Sequence, residues 1–233
     1  MNPDEAEKAA VMEFFHGRKD GYFVEVGIND PRENSQTWRF EQLGWTGLLV
    51  EPMRAHYDNL VQARPHSRVE RAACVSPNQC GEGKLQLAQY TGHNTLRRHV
   101  DDFNISYVGE ETVQLMTLND LLEKQPPARV DFISIDVEGT ELDVLRGFNL
   151  ARWQPQLILI EDKVNNLEKH NYLSAHGYRL LRRTTLNGWY VPIDSVARNT
   201  LAERWQLLRK YYLGLPFRRL QHWRRSRRIA RHA

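Results

Sequence analysis

The stretch over residues 21–52 constrains the fold of this chain more than any other. Its sequence is GYFVEVGINDPRENSQTWRFEQLGWTGLLVEP. Tyr22–Val26 is a short run of aromatic and β-branched residues, a pattern typical of a buried strand in a parallel sheet. Gly27 follows at once, where a tight turn is needed, and a second apolar run over residues 48–50 ends at Glu51. This order of strand, turn, helix and strand predicts an α/β fold.

The position of Glu51 indicates a nucleoside site. In doubly wound sheets, ligands bind beyond the carboxyl ends of the strands, and an acidic residue about 20 residues after the first turn binds ribose hydroxyls. Asn29 and Arg32 occupy the places of the second and third glycines of a dinucleotide turn, so the turn is not suited to a pyrophosphate. A cofactor with an adenosine and no phosphates, such as S-adenosylmethionine, fits better. The alternative is a chance acid at a strand end.

A second informative stretch, VDFISIDVEGTELDVLRGF, covers residues 130–148. The apolar strand at its start delivers Asp136 to the same rim, and a later apolar strand over residues 156–160 delivers Glu161 and Asp162. Like charges crowded at one rim are unfavourable unless a ligand, a proton transfer or a cation uses them. Ordinary surface acids remain the alternative, most strongly for Asp162.

Other segments complete the predicted domain. A helix over residues 4–15 packs over the sheet or closes the site. A strand over residues 69–75 leads into the region where adenine would lie. The polar segment 92–109 reads as a lid or substrate loop, in which His93 and His99 are candidate bases, although loop histidines are more often solvated bystanders.

Composition and charge bound the class of protein. With 233 residues, 41% of them hydrophobic, the chain suffices for one globular domain with modest appendages. Two cysteines make no disulfide framework, and neither a spanning apolar run nor an export signal is visible, so we expect a cytoplasmic protein. The net charge of +3 is uneven, because residues 198–233 hold 11 basic residues and one acidic residue.

Several motifs together resemble the FkbM family of S-adenosylmethionine-dependent methyltransferases. They are GYFVEVGIND, NSQT, LGWTGLLVEP, TLNDLL, FISIDVEGTELDVLRGF, LILIE and a final AHGYRLL with NGWYVP, and they cover roughly residues 21–193. The IDVEG element with its following helix is the specific part, whereas the first loop has fewer glycines than in many members. The resemblance implies a class I Rossmann-like fold, with a mostly parallel seven-stranded sheet and helices on both faces.

The resemblance also implies a cofactor site and a class of acceptor. Family members commonly methylate hydroxyls of sugars or polyketide-like natural products. Glu51 would bind the ribose, and other residues would shape the cofactor loop. The predicted cofactor-binding residues are Glu25, Gly27, Asn29, Ser35, Glu51, Pro52 and Asp136.

The chemistry of methyl transfer to a hydroxyl makes two demands on the protein. It must align acceptor and methyl group, and it must take up the hydroxyl proton. Asp136 is the first candidate for the base or for gripping the hydroxyl, and Glu161 is the second. Alternatively, Asp136, Glu161 and Asp162 supply the oxygen ligands of Mg²⁺ or Ca²⁺, which would acidify the hydroxyl.

Two other classes of function compete with this one. A nucleic-acid methyltransferase would explain the basic C-terminus, but Asp136-Val-Glu-Gly replaces the Asn/Asp-Pro-Pro-aromatic element of amino-group methylators, and a carboxylate-rich rim repels phosphates. A non-catalytic cofactor-binding or scaffold protein would keep the fold without turnover.

The C-terminal segment is the third signal. We divide the chain into an N-terminal helix (1–20), a methyltransferase domain (21–196) and a basic tail (197–233). Leucine and aromatic residues recur in the tail at helical spacing among arginines, which predicts a helix lying in the interface of an anionic membrane. This would favour a lipid-linked acceptor. The alternative is a first half packed on the body and a solvated basic end.

Overall fold

Ten strands in two sheets carry the fold. The computed structural model describes residues 2–97, 105–184 and 186–229. The strands are β1 (Tyr22–Val26), β2 (Thr46–Val50), β3 (Ser67–Glu70), β4 (Ala73–Cys74), β5 (Gly81–Ala88), β6 (Tyr107–Met116), β7 (Phe132–Ile135), β8 (Leu157–Glu161), β9 (Tyr178–Thr184) and β10 (Asn187–Pro192).

The large sheet has the strand order β3-β2-β1-β7-β8-β10-β9. Its strands pair in parallel, except that β10 runs antiparallel to both β8 and β9. The strand order reverses between β1 and β7, so a crevice opens there at the carboxyl ends of the strands. The predicted class I Rossmann-like fold, with a mostly parallel seven-stranded sheet, is confirmed.

Helices cover both faces of this sheet. They are α1 (Pro3–Phe14), α2 (Trp38–Gln42), α3 (Arg54–Ala63), α4 (Leu118–Lys124), α5 (Glu141–Arg146), α6 (Leu150–Trp153), α7 (Glu168–Ala175), α8 (Leu201–Leu207) and α9 (Leu215–Ile229). One core face holds an aromatic cluster in which the rings of Phe40 and Trp45 lie 4.6 Å apart and those of Phe15 and Trp45 lie 5.1 Å apart. The chain segment after α1 is thereby fixed to the sheet.

The strand predicted over residues 69–75 is wrong as a single element. β3 ends at Glu70 in the large sheet, and β4 begins at Ala73 in a small sheet of order β4-β6-β5. The chain changes sheets because Ala73 and Cys74 pair in parallel with the end of β6, more than 40 residues later in the sequence. Local pattern does not carry such a long-range pairing.

The segment predicted as a lid or substrate loop over residues 92–109 is only partly irregular. Its last three residues belong to β6, which pairs antiparallel with β5. His99, the second histidine considered there, lies outside the described residues.

The C-terminal tail is helical. α8 runs into a π-helical turn at Leu208–Leu213, and α9 follows it. Tyr211 and Leu215 are buried against the body. Within the described ranges, none of the helices is long and apolar enough to cross a membrane. The predicted division into an N-terminal helix (1–20), a methyltransferase domain (21–196) and a basic tail (197–233) stays a prediction.

Candidate functional site

A cavity of about 380 Å³ opens at the carboxyl ends of the central strands. It gathers most of the side chains predicted from the sequence, although these lie far apart along the chain. The predicted residues that line it are Glu25, Gly27, Asn29, Glu51, Pro52, Asp136 and Glu161. Ser35 and Asp162 lie outside its lining.

Glu51 stands at the end of β2 with its carboxylate held by the backbone. One oxygen accepts a hydrogen bond from the Ile28 amide at 3.0 Å, and the other accepts one from the Met53 amide at 2.8 Å. A carboxylate has about four acceptor sites. Glu51 therefore keeps acceptor capacity on the cavity side, which fits the hydroxyl pair of a ribose. The cavity wall nearby is apolar at Ala73 and Leu85, which suits an adenine ring.

Gly27 is required by the packing of the strand ends. Its φ is +84°, and a Cβ added to it would lie 1.9 Å from the carbonyl oxygen of Asp136. The Gly27 amide donates to Val50 and the Asp136 amide donates to Val26, each at 3.0 Å. The glycine thus lets three strand ends meet, and it brings Asp136 close to the first turn.

Glu25 faces the cavity, but its carboxylate organises the loop after β1. It accepts hydrogen bonds from the Ser35 hydroxyl at 2.7 Å, the Thr37 hydroxyl at 2.5 Å and the Gln36 amide at 2.7 Å. Ser35 was predicted to bind cofactor directly. The structure turns its hydroxyl toward Glu25, so its geometry supports the loop that lines the cavity.

Arg64 is an important residue that sequence reasoning missed. Its side chain is fully buried. Its guanidinium donates to Glu41 at 2.6 Å, to the Ser35 hydroxyl at 3.1 Å and to the Thr37 hydroxyl at 3.0 Å. An arginine at the end of a helix and before a proline reads as a surface residue, so no sequence signal marks it. We call Glu25, Ser35, Thr37, Glu41 and Arg64 the loop network.

Asp136 and Glu161 form an acidic pair at the rim of the cavity. Burial raises the pKa of Glu161 to about 7, against the opposing charge of Lys163 and with support from neighbouring carboxylates. Burial also raises the pKa of Asp136 well above its usual range, and the charge of Glu161 adds to this effect. Asp136 is open to the cavity and otherwise surrounded by protein, which is why it is accessible and still poorly solvated.

The described part of the predicted substrate loop spans the cavity. Just before this loop, the Thr91 hydroxyl donates to the Asn29 side chain at 2.8 Å, and within it the Thr95 hydroxyl donates to the Glu138 carbonyl at 3.0 Å. The His93 ring lies 3.5 Å from the Glu138 carboxylate and is about half exposed. These contacts join the turn after β1 to the turn after β7.

Helix α1 closes another side of the cavity, as one of its two predicted roles required. Glu7 and Lys8 line the cavity, and Glu7 accepts hydrogen bonds from Gln36 at 3.2 Å and from Asn187 at 2.6 Å. Burial raises the pKa of Glu7. Sequence reasoning missed these two residues, because a charged residue in an N-terminal helix reads as solvent-facing.

The predicted metal site is not supported. Across the parts of the chain that the structure describes, no group of three or more His, Cys, Asp or Glu side chains is arranged to hold a metal ion. Asp162 is turned away from Asp136 and Glu161. Its carboxylate accepts from the Val164 amide at 2.8 Å and from the Tyr211 hydroxyl at 2.9 Å.

Comparisons with known proteins identify a family. The Methyltransferase FkbM domain matches residues 25–180 of the chain. No curated protein sequence matches it. The C-terminal domain of precorrin-6Y C5,15-methyltransferase from Rhodobacter capsulatus is 12% identical with a TM-score of 0.37, and the likeness covers 80% of this chain and 84% of that chain. A methyltransferase from Geobacter sulfurreducens is 12% identical with a TM-score of 0.37, over 82% of this chain and 89% of that chain. At these TM-scores, the two likenesses carry no conclusion about this chain.

Proposed function

The chain belongs to the FkbM methyltransferase family, and on that basis we propose that it methylates a hydroxyl group of a sugar, a glycan or a natural product. Membership of the family implies S-adenosylmethionine as the methyl donor. The hydroxyl acceptor and the roles of individual residues are the proposal.

One observation carries the proposal. Two carboxyl groups with raised pKa, Asp136 and Glu161, stand on one side of a cavity that also contains the anchored carboxylate of Glu51. A group with a pKa near 7 is well suited to take a proton at neutral pH. A hydroxyl acceptor needs such a base, whereas a thiol or an amine needs it less.

The donor, when bound, supplies an electrophilic methyl group on a good leaving group. Glu51 would hold the ribose hydroxyls and so fix the orientation of the donor. Glu161, in its ionised form, would accept the hydroxyl proton. Asp136, whose pKa burial and neighbouring carboxylates raise, would in its protonated form donate a hydrogen bond to a polar group of the acceptor. Alignment of donor and acceptor by these groups lowers the free-energy barrier. In ideally oriented reactions this effect reaches about 7–11 kcal/mol.

The cofactor site is tested by calorimetric titration of S-adenosylmethionine and S-adenosylhomocysteine. We expect micromolar binding to the wild type and a loss of about 10- to 150-fold in Glu51→Ala, the range for a hydrogen bond to a charged group. The matched control is Glu82→Ala, which removes an exposed carboxylate from β5 and should bind as the wild type does. Equal binding by Glu51→Ala and Glu82→Ala would contradict the assigned ribose site.

The acceptor is tested by incubating the protein with labelled S-adenosylmethionine and pools of glycans, polyhydroxylated natural products and nucleic acids. Label that appears on a hydroxyl of a glycan or natural product supports the proposal. Label on nucleic-acid bases would favour the nucleic-acid alternative. Tight cofactor binding without product from any pool would favour the non-catalytic alternative.

A further inference from the structure

The tail contacts the body through one side of its helices. Tyr211 is buried, and its hydroxyl donates to Asp162 at 2.9 Å. The Arg218 guanidinium donates to the Val164 carbonyl at 3.0 Å, and Leu215 is 8% exposed. These contacts fix the inward side of the tail on the body, next to the end of β8.

The other side of the tail exposes large apolar side chains. Four of them follow the spacing i, i+4, i+7 and i+11 through α8 and the π-helical turn, and two more are exposed in α9. We call these residues the outer stripe: Leu201, Trp205, Leu208, Tyr212, Phe217 and Leu220. Their exposed fractions run from 44% to 84%. Contiguous exposed apolar surface of this kind marks an interaction site in a soluble domain.

Positive charge surrounds the outer stripe. Arg198, Arg204, Arg209 and Arg219 are exposed beside it. The body holds a further, buried cation near the tail, Arg183, which is 6% exposed and has two guanidinium nitrogens without a hydrogen-bond partner among the described residues.

The charge of Arg183 repels two cations of the tail. Burial lowers the pKa of Lys210 and of Arg218, and the charge of Arg183 lowers both further. The carboxylate of Asp162 opposes the charge of Arg218, and it is already bonded to Tyr211. A buried cation that lacks a full counter-charge is unfavourable. The junction of tail and body therefore adds to the positive charge of this part of the molecule.

We infer that the tail docks the protein on an anionic lipid bilayer, with the outer stripe among the lipid headgroups and the surrounding arginines against lipid phosphates. A helix with an apolar face and arginine-rich flanks has the composition of an interfacial helix. The predicted alternative, packing on the body, accounts for Tyr211 and Leu215 but leaves the outer stripe exposed. A second copy is a poorer occupant, because two tails with 11 basic residues and one acidic residue each would repel.

Docking in this way would hold the cavity close to the bilayer. Tyr211 bonds to Asp162, which directly follows Glu161 at the cavity rim. The Asp162 amide also donates to the carbonyl of Leu186, a residue of the cavity lining. A lipid-linked acceptor could thus reach the cavity without leaving the membrane surface.

The inference is tested with the full chain and vesicles, independently of methyl transfer. Flotation is measured with vesicles of phosphatidylcholine alone and with phosphatidylglycerol added. We expect the wild type to bind the anionic vesicles, and Trp205→Ser/Phe217→Ser to lose affinity about tenfold or more. The control is Val61→Ser, which removes a 47% exposed apolar side chain from α3 on the body and should leave binding unchanged.

A second variant, Arg209→Glu/Arg219→Glu, reverses exposed charge without changing the outer stripe. It should lose binding to anionic vesicles, and added salt should weaken the wild type in the same direction. Circular dichroism and unfolding midpoints check that each variant is folded. Two results would overturn the inference: wild type that does not float with anionic vesicles, or binding that Trp205→Ser/Phe217→Ser leaves intact. The inference would also be overturned if the wild type formed a dimer without binding vesicles and Trp205→Ser/Phe217→Ser dissociated that dimer. That result would assign the outer stripe to a second copy of the chain.

Discussion

Two groups of carboxylates lie near the carboxyl ends of the central strands, and they differ in how fully the protein supplies hydrogen-bond donors to them. In the loop network, Glu25 accepts three hydrogen bonds and Glu41 pairs with the fully buried Arg64. At the cavity rim, burial raises the pKa of both Asp136 and Glu161, and the charges of neighbouring carboxylates raise both further. The first group has donors built into the fold, whereas the second lacks enough of them.

The difference separates support from chemistry. A buried charge with its hydrogen bonds made is held in one place. A buried carboxyl without full compensation can change its ionisation state near neutral pH, and it is available to a ligand that enters the cavity. The loop network therefore shapes the cavity, and we expect the rim to carry out the proton transfer.

The sharpest way to break this comparison is to remove the base. Glu161→Gln should lower turnover by about 10²- to 10⁴-fold, the usual contribution of a general base. Wild-type turnover should rise with pH up to about 7, because only the ionised form of Glu161 accepts a proton. Stopped assays from about pH 5 to about pH 9, in steps of about one unit, measure both effects. If turnover of Glu161→Gln still rose with pH up to about 7, another group would have to be the base.

The loop network is tested by Arg64→Met. This change leaves Glu41 buried without its partner, so the free energy of unfolding should fall by about 3–5 kcal/mol. Urea unfolding measures it. Arg54→Met is the control, because Arg54 pairs with Asp58 on the exposed surface of α3 and its loss should leave the unfolding midpoint unchanged. Recovery of stability in Arg64→Met/Glu41→Leu would show that the isolated charge causes the loss. A small effect of Arg64→Met would mean that the network is not needed to hold the loop.

Removing the charge of Glu161 at the cavity rim should stabilise the protein, whereas removing the charge of Arg64 should destabilise it. The pKa of Glu161 rises from 4.5 to about 7 on folding, so the folded state binds the proton more tightly than the unfolded state does. Stability of the wild type is therefore lost as pH rises from about 4.5 to about 7. Glu161→Gln lacks this titration and should be more stable than the wild type at pH 8, by up to about 3 kcal/mol. Thermal unfolding at pH 4 and pH 8 measures the difference, and a variant less stable than the wild type at pH 8 would contradict it.

The smallest effect is expected at Asp162, which directly follows Glu161 but whose carboxylate accepts two hydrogen bonds from the protein. Tyr211→Phe removes one of them and should weaken the contact between tail and body by about 1–2 kcal/mol. Hydrogen exchange in α8 and the π-helical turn should accelerate accordingly. Tyr212→Phe alters an exposed ring in the same turn and serves as the control. Unchanged exchange in Tyr211→Phe would mean that other contacts hold the tail.

Sequence patterns predicted the central part of the fold well, because buried parallel strands leave continuous apolar runs and the carboxylates stand at the ends of those runs. The positions of Glu51, Asp136 and Glu161 follow directly from this rule. Patterns failed where a residue is defined by a distant partner. Asp162 was predicted to bind metal, and its carboxylate turns to Tyr211. The predicted cofactor role of Ser35, whose hydroxyl turns to Glu25, stays a prediction.

The sequence by itself determined the central strands of the large sheet, the glycine turn, the carboxylates delivered to one rim and the family to which the chain belongs. Each of these depends on neighbours in the chain or on a local motif. Only the tertiary structure decided that Arg64 is buried, that Glu7 joins Asn187 across 180 residues, and that the tail hides Tyr211 while it exposes the outer stripe. These features arise from contacts between segments that are distant in the sequence. Whether a charged or apolar side chain is buried or exposed is decided only when those segments pack together.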